Sequence, residues 1–382
     1  MESLAVVDVS LPKISIVSKQ FYEVARYSVF LKTREQLEKH PMLDQLIGRQ
    51  TEQRPLMYEI LHRFNAILLV YCHFANQKML LEQISWLYGT YQARGFAYEY
   101  FPLLFQSLEK ALLERSGNRC MVDLAQLLQQ LTMYHSFFIE ASQTSKEQDE
   151  NKLIAKKFTI PELADILLSK DFSQALPVFQ TARAEYDSLL DFYEEIVKTV
   201  MYYIGRQWQQ GKISAAQEHI ATASASQVMA VLFARAMLET LPSAETVRPR
   251  AVIFATAKEY HELGAKMAAD ILFLKGWDVT FMGSNVPSRD VEGVLRQIEP
   301  KLLGISVTLS DHLPDTKQII TSLRKDRAFD NIKVLVGGAA FGALPRETVK
   351  HLFGADEYMT DLHDLTLYAD QLYGLTNSNN IK

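Results

Sequence analysis

Cysteine is nearly absent: the 382 residues hold two, Cys72 and Cys120. Two cysteines cannot form a disulfide framework, and their scarcity points to a reducing cytosol. An excess of basic charge is missing as well. The formal net charge is −5, and no basic helix carries a recognition pattern, which excludes direct nucleic-acid binding as the expected function. Long apolar runs are also lacking. The longest, Ala66 to Cys72, is far too short to span a bilayer. The opening Met1-Glu2-Ser3-Leu4-Ala5 has no charged region followed by an apolar core, so no signal peptide and a cytoplasmic location are expected. No internal repeat or low-complexity segment is visible. Apolar residues make up 48%, enough for real cores, and the length suggests two or three domains.

Residues 1–13 read as a loose arm. Residues 14–141 read as an all-helical domain of about six helices. Phe21, Val24, Ala25, Ser28 and Leu31 form the first stripe. Pro55 opens a helix through Ile60, Phe64, Ile67 and Leu68. Leu80, Ile84 and Leu87 share the face of a third, and Leu104, Leu108 and Leu112 that of a fourth. Asn118 is placed to cap a last helix carrying Val122, Ala125, Leu128 and Leu131. The polar stretch from Ser142 to Lys152 reads as a linker. A second helical block covers 158–241, and Leu241 to Pro249 is a second linker. From 249 to 376 strands and helices alternate, which predicts a doubly wound parallel sheet. The fold class is therefore α plus α/β, in several domains. The tail after Gly374 reads as frayed.

The chemistry concentrates in Glu259-Tyr260-His261-Glu262-Leu263-Gly264. The stretch follows an apolar run, Ala251 to Ala255, that reads as a buried strand, and it precedes a helix. A histidine thus sits at the carboxyl end of a first strand, where open α/β sheets bind ligands. Glu259, two residues earlier, can accept the other imidazole N–H and fix the tautomer. Gly264 lets the backbone come close to a bulky neighbour. Taken alone, a histidine in such a loop is more often a structural residue. However, Ser306-Val307-Thr308 closes a third strand, and Gly337-Gly338 closes a fourth.

Together, E-x-H-x-x-G, S-x-T and G-G resemble the cobalamin-binding domain of methionine synthase, the mutases and their relatives. The resemblance implies that the cofactor's nucleotide tail leaves cobalt and is buried in the sheet. His261 then becomes the lower axial ligand and Glu259 its partner. Ser306 and Thr308 would contact the tail, and Gly337 and Gly338 would leave room for it. The acid is Glu259 where the family commonly has Asp.

In the second helical block, Val197, Val200, Met201, Ile204 and Trp208 form one helical stripe. Gly211 stops that helix, and Ser214-Ala215-Ala216-Gln217 is a capping box for the next. Trp208 and the pair Glu218–His219 therefore sit on two helices joined by a tight turn. Read alone, Trp208 is a core residue and the pair a solvated helix start. The spacing W-x9-E-H resembles that of light-dependent cobalamin-binding repressors of carotenoid genes. In that family the tryptophan and the Glu-His pair pack on the 5′-deoxyadenosyl group of adenosylcobalamin, under a four-helix cap. One departure matters. The histidine that follows the tryptophan in those repressors, and ligates cobalt after photolysis, is Gln209 here. His219 or a water would take that place.

Leu87 to Phe96, followed by Tyr98 to Phe101, is similar to the F–G–H stretch of a globin, with Tyr91 at the position of the proximal histidine. The whole layout is similar to photocobilins, which join a globin-like biliverdin domain to a cobalamin photoreceptor module. For such a site, His62, Arg63, His73 and Arg94 are candidates for propionates or pyrrole nitrogens, and Tyr91 and Tyr98 for stacking. Cys72 would be either an attachment point or an inert buried thiol. The alternative for this domain is a partner-binding or dimerising bundle.

The expected function is a photoreceptor with no catalysis of its own. It would hold adenosylcobalamin base-off with His261 on cobalt, and biliverdin in the first domain. Its signal would leave through light-dependent homo-oligomer assembly or a separate output protein. The competing readings are a corrinoid carrier for methyl transfer and a cobalamin- or redox-responsive antirepressor.

Overall fold

The computed structural model describes residues 11–48, 53–116, 121–143, 153–155, 157–169, 171–240 and 248–373. The expected cap at Asn118, Cys120, most of both linkers and the tail lie outside these residues, as do residues 1–10. The chain divides into two compact units, one holding the first 146 residues and the other nearly all of the rest.

The first unit is all helix: α1 (Ile16–Glu38), α2 (Leu43–Ile47), α3 (Gln53–Phe74), α4 (Gln77–Gln92), α5 (Tyr100–Ser116), α6 (Val122–Met133) and α7 (His135–Gln143). Its core follows the expected periodicity on α3, α4 and α5, where Ile60, Phe64, Leu80, Ile84, Leu104 and Leu108 are buried. The arm was expected to be loose through residue 13. Instead Leu11 is buried and Tyr71 donates to the Pro12 carbonyl at 3.2 Å.

The expected stripe on α1 holds only in part: Ala25 is buried and Phe21 packs against the core. The buried face is Ser18, Tyr22, Ala25, Val29, Thr33 and Leu37, while Val24 and Leu31 point to solvent. The reason is that this face carries hydroxyls with partners of their own, Tyr22 donating to Asn65 Oδ1 on α3 at 2.7 Å. Thr33 Oγ1 donates to the Val29 carbonyl at 2.8 Å, so a polar residue is buried without penalty. Counting apolar residues missed it.

The second unit begins with a short antiparallel ladder, β1 (Leu153–Ala155) and β2 (Phe158–Thr159), which the sequence pattern did not suggest. Four helical stretches follow. The first is α8 (Ile160–Leu168), opened by a capping box between Thr159 and Glu162, and the second is α9 (Phe172–Arg183). The third runs unbroken through α10 (Leu189–Phe192), one π-helical turn (Tyr193–Val197) and α11 (Lys198–Gln209). The fourth is α12 (Ala215–Thr240). Its capping box forms as expected: Gln217 N donates to Ser214 Oγ at 3.2 Å, and Ser214 N to Gln217 Oε1 at 2.9 Å. By length and composition, Ala215–Glu239 is apolar enough to cross a membrane. Much of that hydropathy comes from alanine, and Val228, Met229 and Leu232 are buried in the core.

The sheet contains β3 (Arg250–Ala255), β4 (Asp278–Phe281), β5 (Leu302–Ser306), β6 (Lys333–Gly337) and β7 (Glu357–Met359), all parallel, in the order β4-β3-β5-β6-β7. The connecting helices are α13 (Leu263–Leu274), α14 (Ser288–Ile298), α15 (Leu313–Leu323) and α16 (Arg346–Phe353), and α17 (Leu362–Tyr373) closes the fold. The order of connection reverses between β3 and β5, so the crevice at their carboxyl ends is the switch point of the sheet. The helices before the sheet and α13 share one apolar core, with Tyr193, Ile196, Ala225, Ala265 and Leu272 among its members. Inside it lies one polar cluster. Tyr193 donates to Asp270 Oδ2 at 2.9 Å, and Lys266 Nζ lies 2.9 Å from both Asp270 oxygens.

Candidate functional site

The loop after β3 is shaped by backbone strain. Lys258 adopts φ 65° and faces Asn285, at φ 53°, on the loop after β4. Lys258 N donates to Asn285 Oδ1 at 2.8 Å, and Asn285 N donates to the Glu259 carbonyl at 2.8 Å. Left-handed residues other than glycine are costly, and they persist where neighbours hold them in place. Two reciprocal hydrogen bonds do so here, and they turn the Glu259 side chain inward.

Glu259 is fully buried. Oε1 lies 2.5 Å from His261 Nδ1 and accepts His261 N at 3.0 Å. Oε2 accepts the backbone N–H groups of Thr308 at 2.8 Å and Leu309 at 2.9 Å, and lies 3.3 Å from His312 Nδ1. Burial alone would raise this carboxyl. The hydrogen bonds from His261, His312 and the backbone outweigh it and hold the group well below the usual carboxylate range. An ionised Glu259 fixes the His261 proton on Nδ1, so Nε2 is the nitrogen presented for a metal. The His261 side chain is 52% exposed, a rare combination of a buried carboxylate with an accessible imidazole.

The other expected residues surround this pair. Gly264 lies in the first turn of α13, and a Cβ there would meet Ser306 Oγ at 3.8 Å, across the switch point. Ser306 ends β5, and Thr308 contributes its backbone N–H. Gly337 ends β6, and a Cβ there would approach the Met359 carbonyl at 3.3 Å. Gly338 is dictated by the fold itself: at φ 107°, its Cβ would sit 2.2 Å from the Val307 carbonyl oxygen. Sequence reasoning missed His312 and Asn285. His312 follows the S-x-T motif by four residues, inside a 3-10 turn (Ser310–His312), and only the tertiary contact gives it meaning.

On the cap helices, Trp208 is half-buried near the end of α11. Glu218 and His219 occupy the first turns of α12, as expected. Glu218 Oε2 lies 2.8 Å from His219 Nδ1, and Thr222 donates to Glu218 Oε1 at 2.8 Å. The His219 side chain is 79% exposed.

In the first unit, the six candidates separate into three groups. Arg63, Tyr91 and Arg94 come together around Glu59. Tyr91 donates to Glu59 Oε1 at 2.9 Å, Arg63 Nε lies 3.2 Å from the same oxygen, and the Arg94 guanidinium sits 6.0 Å from the Tyr91 ring centre. Tyr98 stacks at 6.1 Å on Tyr88. His62 and His73 turn instead toward α1, against Phe30 and Glu23. Cys72 is buried, and burial pushes its thiol up to about 12, so it is not poised for reaction. Burial, and then the neighbouring Glu59, also raise the Tyr91 phenol.

Residues 249–363 match the B12 binding domain family, and residues 160–233 match a second family of the same description. These two segments are cobalamin-binding domains. Among known proteins, the dimethylamine corrinoid protein of Methanosarcina barkeri is 24% identical over 188 residues, 49% of this chain and 85% of the relative. The HTH-type transcriptional repressor CarH of Myxococcus xanthus is 28% identical over 172 residues, 44% of this chain and 54% of the repressor. The solved monomethylamine corrinoid protein of Methanosarcina barkeri aligns with a TM-score of 0.47 and 18% identity, over 55% of this chain and 96% of that one.

The residues present fit such a cofactor. His261 is accessible and oriented. Two further hydroxyls, Thr256 Oγ1 after β3 and Ser310 Oγ after β5, are buried without a hydrogen-bond partner. A polar group entering between those loops would satisfy them.

Proposed function

We propose that this chain is a light sensor that binds adenosylcobalamin base-off, with His261 as lower axial ligand, and that its first unit holds a bilin such as biliverdin. The observation that carries the reading is the Glu259–His261 pair at the switch point, in a chain that also places Trp208 and Glu218–His219 on the two helices before the sheet. When bound, adenosylcobalamin supplies a cobalt–carbon bond that visible light cleaves. Glu259 keeps the His261 proton on Nδ1 and orients the ring. Ser306, Thr308 and the glycines at 337 and 338 line the strand ends where the nucleotide tail would lie. Trp208 and Glu218–His219 would close on the upper ligand. Without that ligand Trp208 would lack apolar contact worth several kcal/mol at roughly 25 cal/mol per Å². That difference is what can shift the helices. The output would be light-dependent homo-oligomer assembly or a separate partner, with no catalysis by the chain itself. Gln209 follows Trp208, so His219 or water would ligate cobalt in the lit state.

A bilin is supported by Arg63, Arg94 and Tyr91 gathering near Glu59, where Arg63 and Tyr91 bond the carboxylate and the Arg94 guanidinium lies against the Tyr91 ring. Buried oxygens of Gln53, Thr90 and Tyr100 nearby lack partners. The Gln53–Arg94 and Phe96–Tyr100 contacts bring these segments together. The globin-like reading of this unit belongs to the same proposal.

A methyl-transfer carrier is the second reading, favoured by the 85% coverage of the dimethylamine corrinoid protein. The decisive experiment is a visible spectrum with adenosylcobalamin and biliverdin, before and after green light. Cobalamin bands that change on illumination and vanish in His261→Ala support the sensor. Bound cobalamin that ignores light sinks it in favour of the carrier or a cobalamin-responsive antirepressor. Failure to retain biliverdin removes only the bilin half.

A further inference from the structure

Gly205 sits inside α11, where packing gives no reason for it. Glycine within a helix is less stable than alanine, and the usual justification is a close neighbour. Gly89 in α4 has one: a Cβ there would meet the Ser142 carbonyl oxygen at 3.4 Å. Gly205 has none. Among the described residues, no side chain and no other element comes within 4 Å of where its Cβ would stand, although the residue is half-buried. The room has a direction. The helix buries Val200, Ile204 and Gln207. Lys198, Tyr202 and Gly205 follow one another at i, i+4 and i+7 on the opposite face. That face fronts the carboxyl end of the sheet. Lys198 pairs at 2.6 Å with Glu194, whose Oε1 accepts the Leu362 amide just past β7 at 2.8 Å. Lys198 and Tyr202 also both act on the Tyr358 phenol of β7. Gly205 lies one turn further along, three residues before Trp208, so the two are neighbours on the helix surface.

We propose that Gly205 makes the room, beside Trp208, in which cobalamin carries an upper axial ligand of nucleoside size. The proposal rests on the reading above that His261 holds cobalt from below. With His261 on the lower face, the space along the cap helix falls to whatever stands on the upper face. Trp208 offers a flat apolar wall there, and the missing side chain at 205 keeps the protein from filling the space beside it. The residue thereby decides which cobalamins the site accepts. A hydroxide or water on cobalt leaves the space empty, so a larger residue at 205 would still tolerate it. A nucleoside would collide with that residue. The loss of helix stability at Gly205 is the counterpart of this room.

The test titrates the full chain, in the dark, with adenosylcobalamin and with hydroxocobalamin, and follows binding by the visible spectrum. Gly205→Leu should weaken adenosylcobalamin at least tenfold more than hydroxocobalamin, and Gly205→Ala should fall between it and the unmodified chain. Thermal melts without cofactor give a second readout. Gly205→Ala should melt higher than the unmodified chain, because the helix gains an alanine. Gly293→Ala on α14, where the Cβ position is also open, should melt higher too while leaving both affinities unchanged. That control separates helix propensity from room for a ligand. Unaltered adenosylcobalamin binding in Gly205→Leu overturns the proposal. So does an equal loss for both cobalamins, which would set the corrin ring and not the upper ligand against Gly205. Binding that vanishes in His261→Ala but ignores Gly205→Leu sinks this inference alone. An unmodified chain that binds neither cobalamin sinks the reading of the site along with it.

Discussion

His312 Nδ1 lies 3.3 Å from Glu259 Oε2, so one buried carboxylate serves two imidazoles, His312 on one oxygen and His261 on the other. Replacing His312 by Ala removes one donor from a buried anion that keeps the N–H groups of Thr308 and Leu309. A loss of about 1–3 kcal/mol of stability is expected. Denaturant unfolding of the cofactor-free protein measures it. His312→Gln, which keeps a donor, should recover part of the loss, and Glu259→Ala should cost more than His312→Ala because it strands every one of these donors.

Gly338 and Gly337 should respond very differently to the same change. Gly338→Ala puts a Cβ 2.2 Å from the Val307 carbonyl oxygen at φ 107°, and should cost about 3 kcal/mol or more. Gly337→Ala meets the Met359 carbonyl at 3.3 Å with no backbone penalty and should cost much less. Unfolding midpoints of the two variants, compared side by side without cobalamin, separate a fold requirement from a cofactor requirement.

Asp270 gives a pH signature of defined sign. Burial raises its carboxyl, and Lys266 and Tyr193 offset that only in part. A carboxyl raised on folding adds stability below its unfolded value, and that stability is lost as pH rises through the folded value. Asp270→Asn should therefore flatten this component of the stability–pH curve above about pH 4, where unfolded carboxyls titrate. Tyr193→Phe should steepen it and cost about 1–2 kcal/mol by removing a donor to a buried group. Unfolding at a series of pH values tests both.

Asn285→Ala breaks the side-chain bond to Lys258 N while leaving a Cβ residue at φ 53°. The loop that presents Glu259 and His261 should loosen before the sheet does. Hydrogen exchange at the Lys258 amide should speed at least tenfold, with little change at β5 or β6. Equal acceleration throughout the sheet would contradict this.

The sheet was readable from the sequence because its strands are buried runs closed by turn residues, and β3, β5 and β6 end where Ala255, Ser306 and Gly337 suggested. The His261 and Glu259 contact was readable because the two residues are close in the chain. His312 and Asn285 were not, because their roles arise from contacts with Lys258 and Glu259, distant in sequence. The α1 face was misread in part because hydroxyls with partners, Thr33 on Val29 and Tyr22 on Asn65, can be buried, while Val17, Val24 and Leu31 at heptad spacing face water. The glycine pair was seen as space for a ligand. For Gly338, the carbonyl of Val307 was the stronger reason.

The π-helical turn at Tyr193–Val197 has a consequence for Trp208, eleven residues further along the same helix. Such a turn holds one residue more than an α turn, so it absorbs a residue without the roughly 100° of rotation that a residue adds in an α-helix. The azimuth of the indole is therefore insulated from the residue count of that turn. Deleting a single residue from Tyr193–Val197 would restore an α turn and leave Trp208 near its present azimuth, whereas deleting one from α11 ahead of Trp208 would swing it by more than a quarter of a circle.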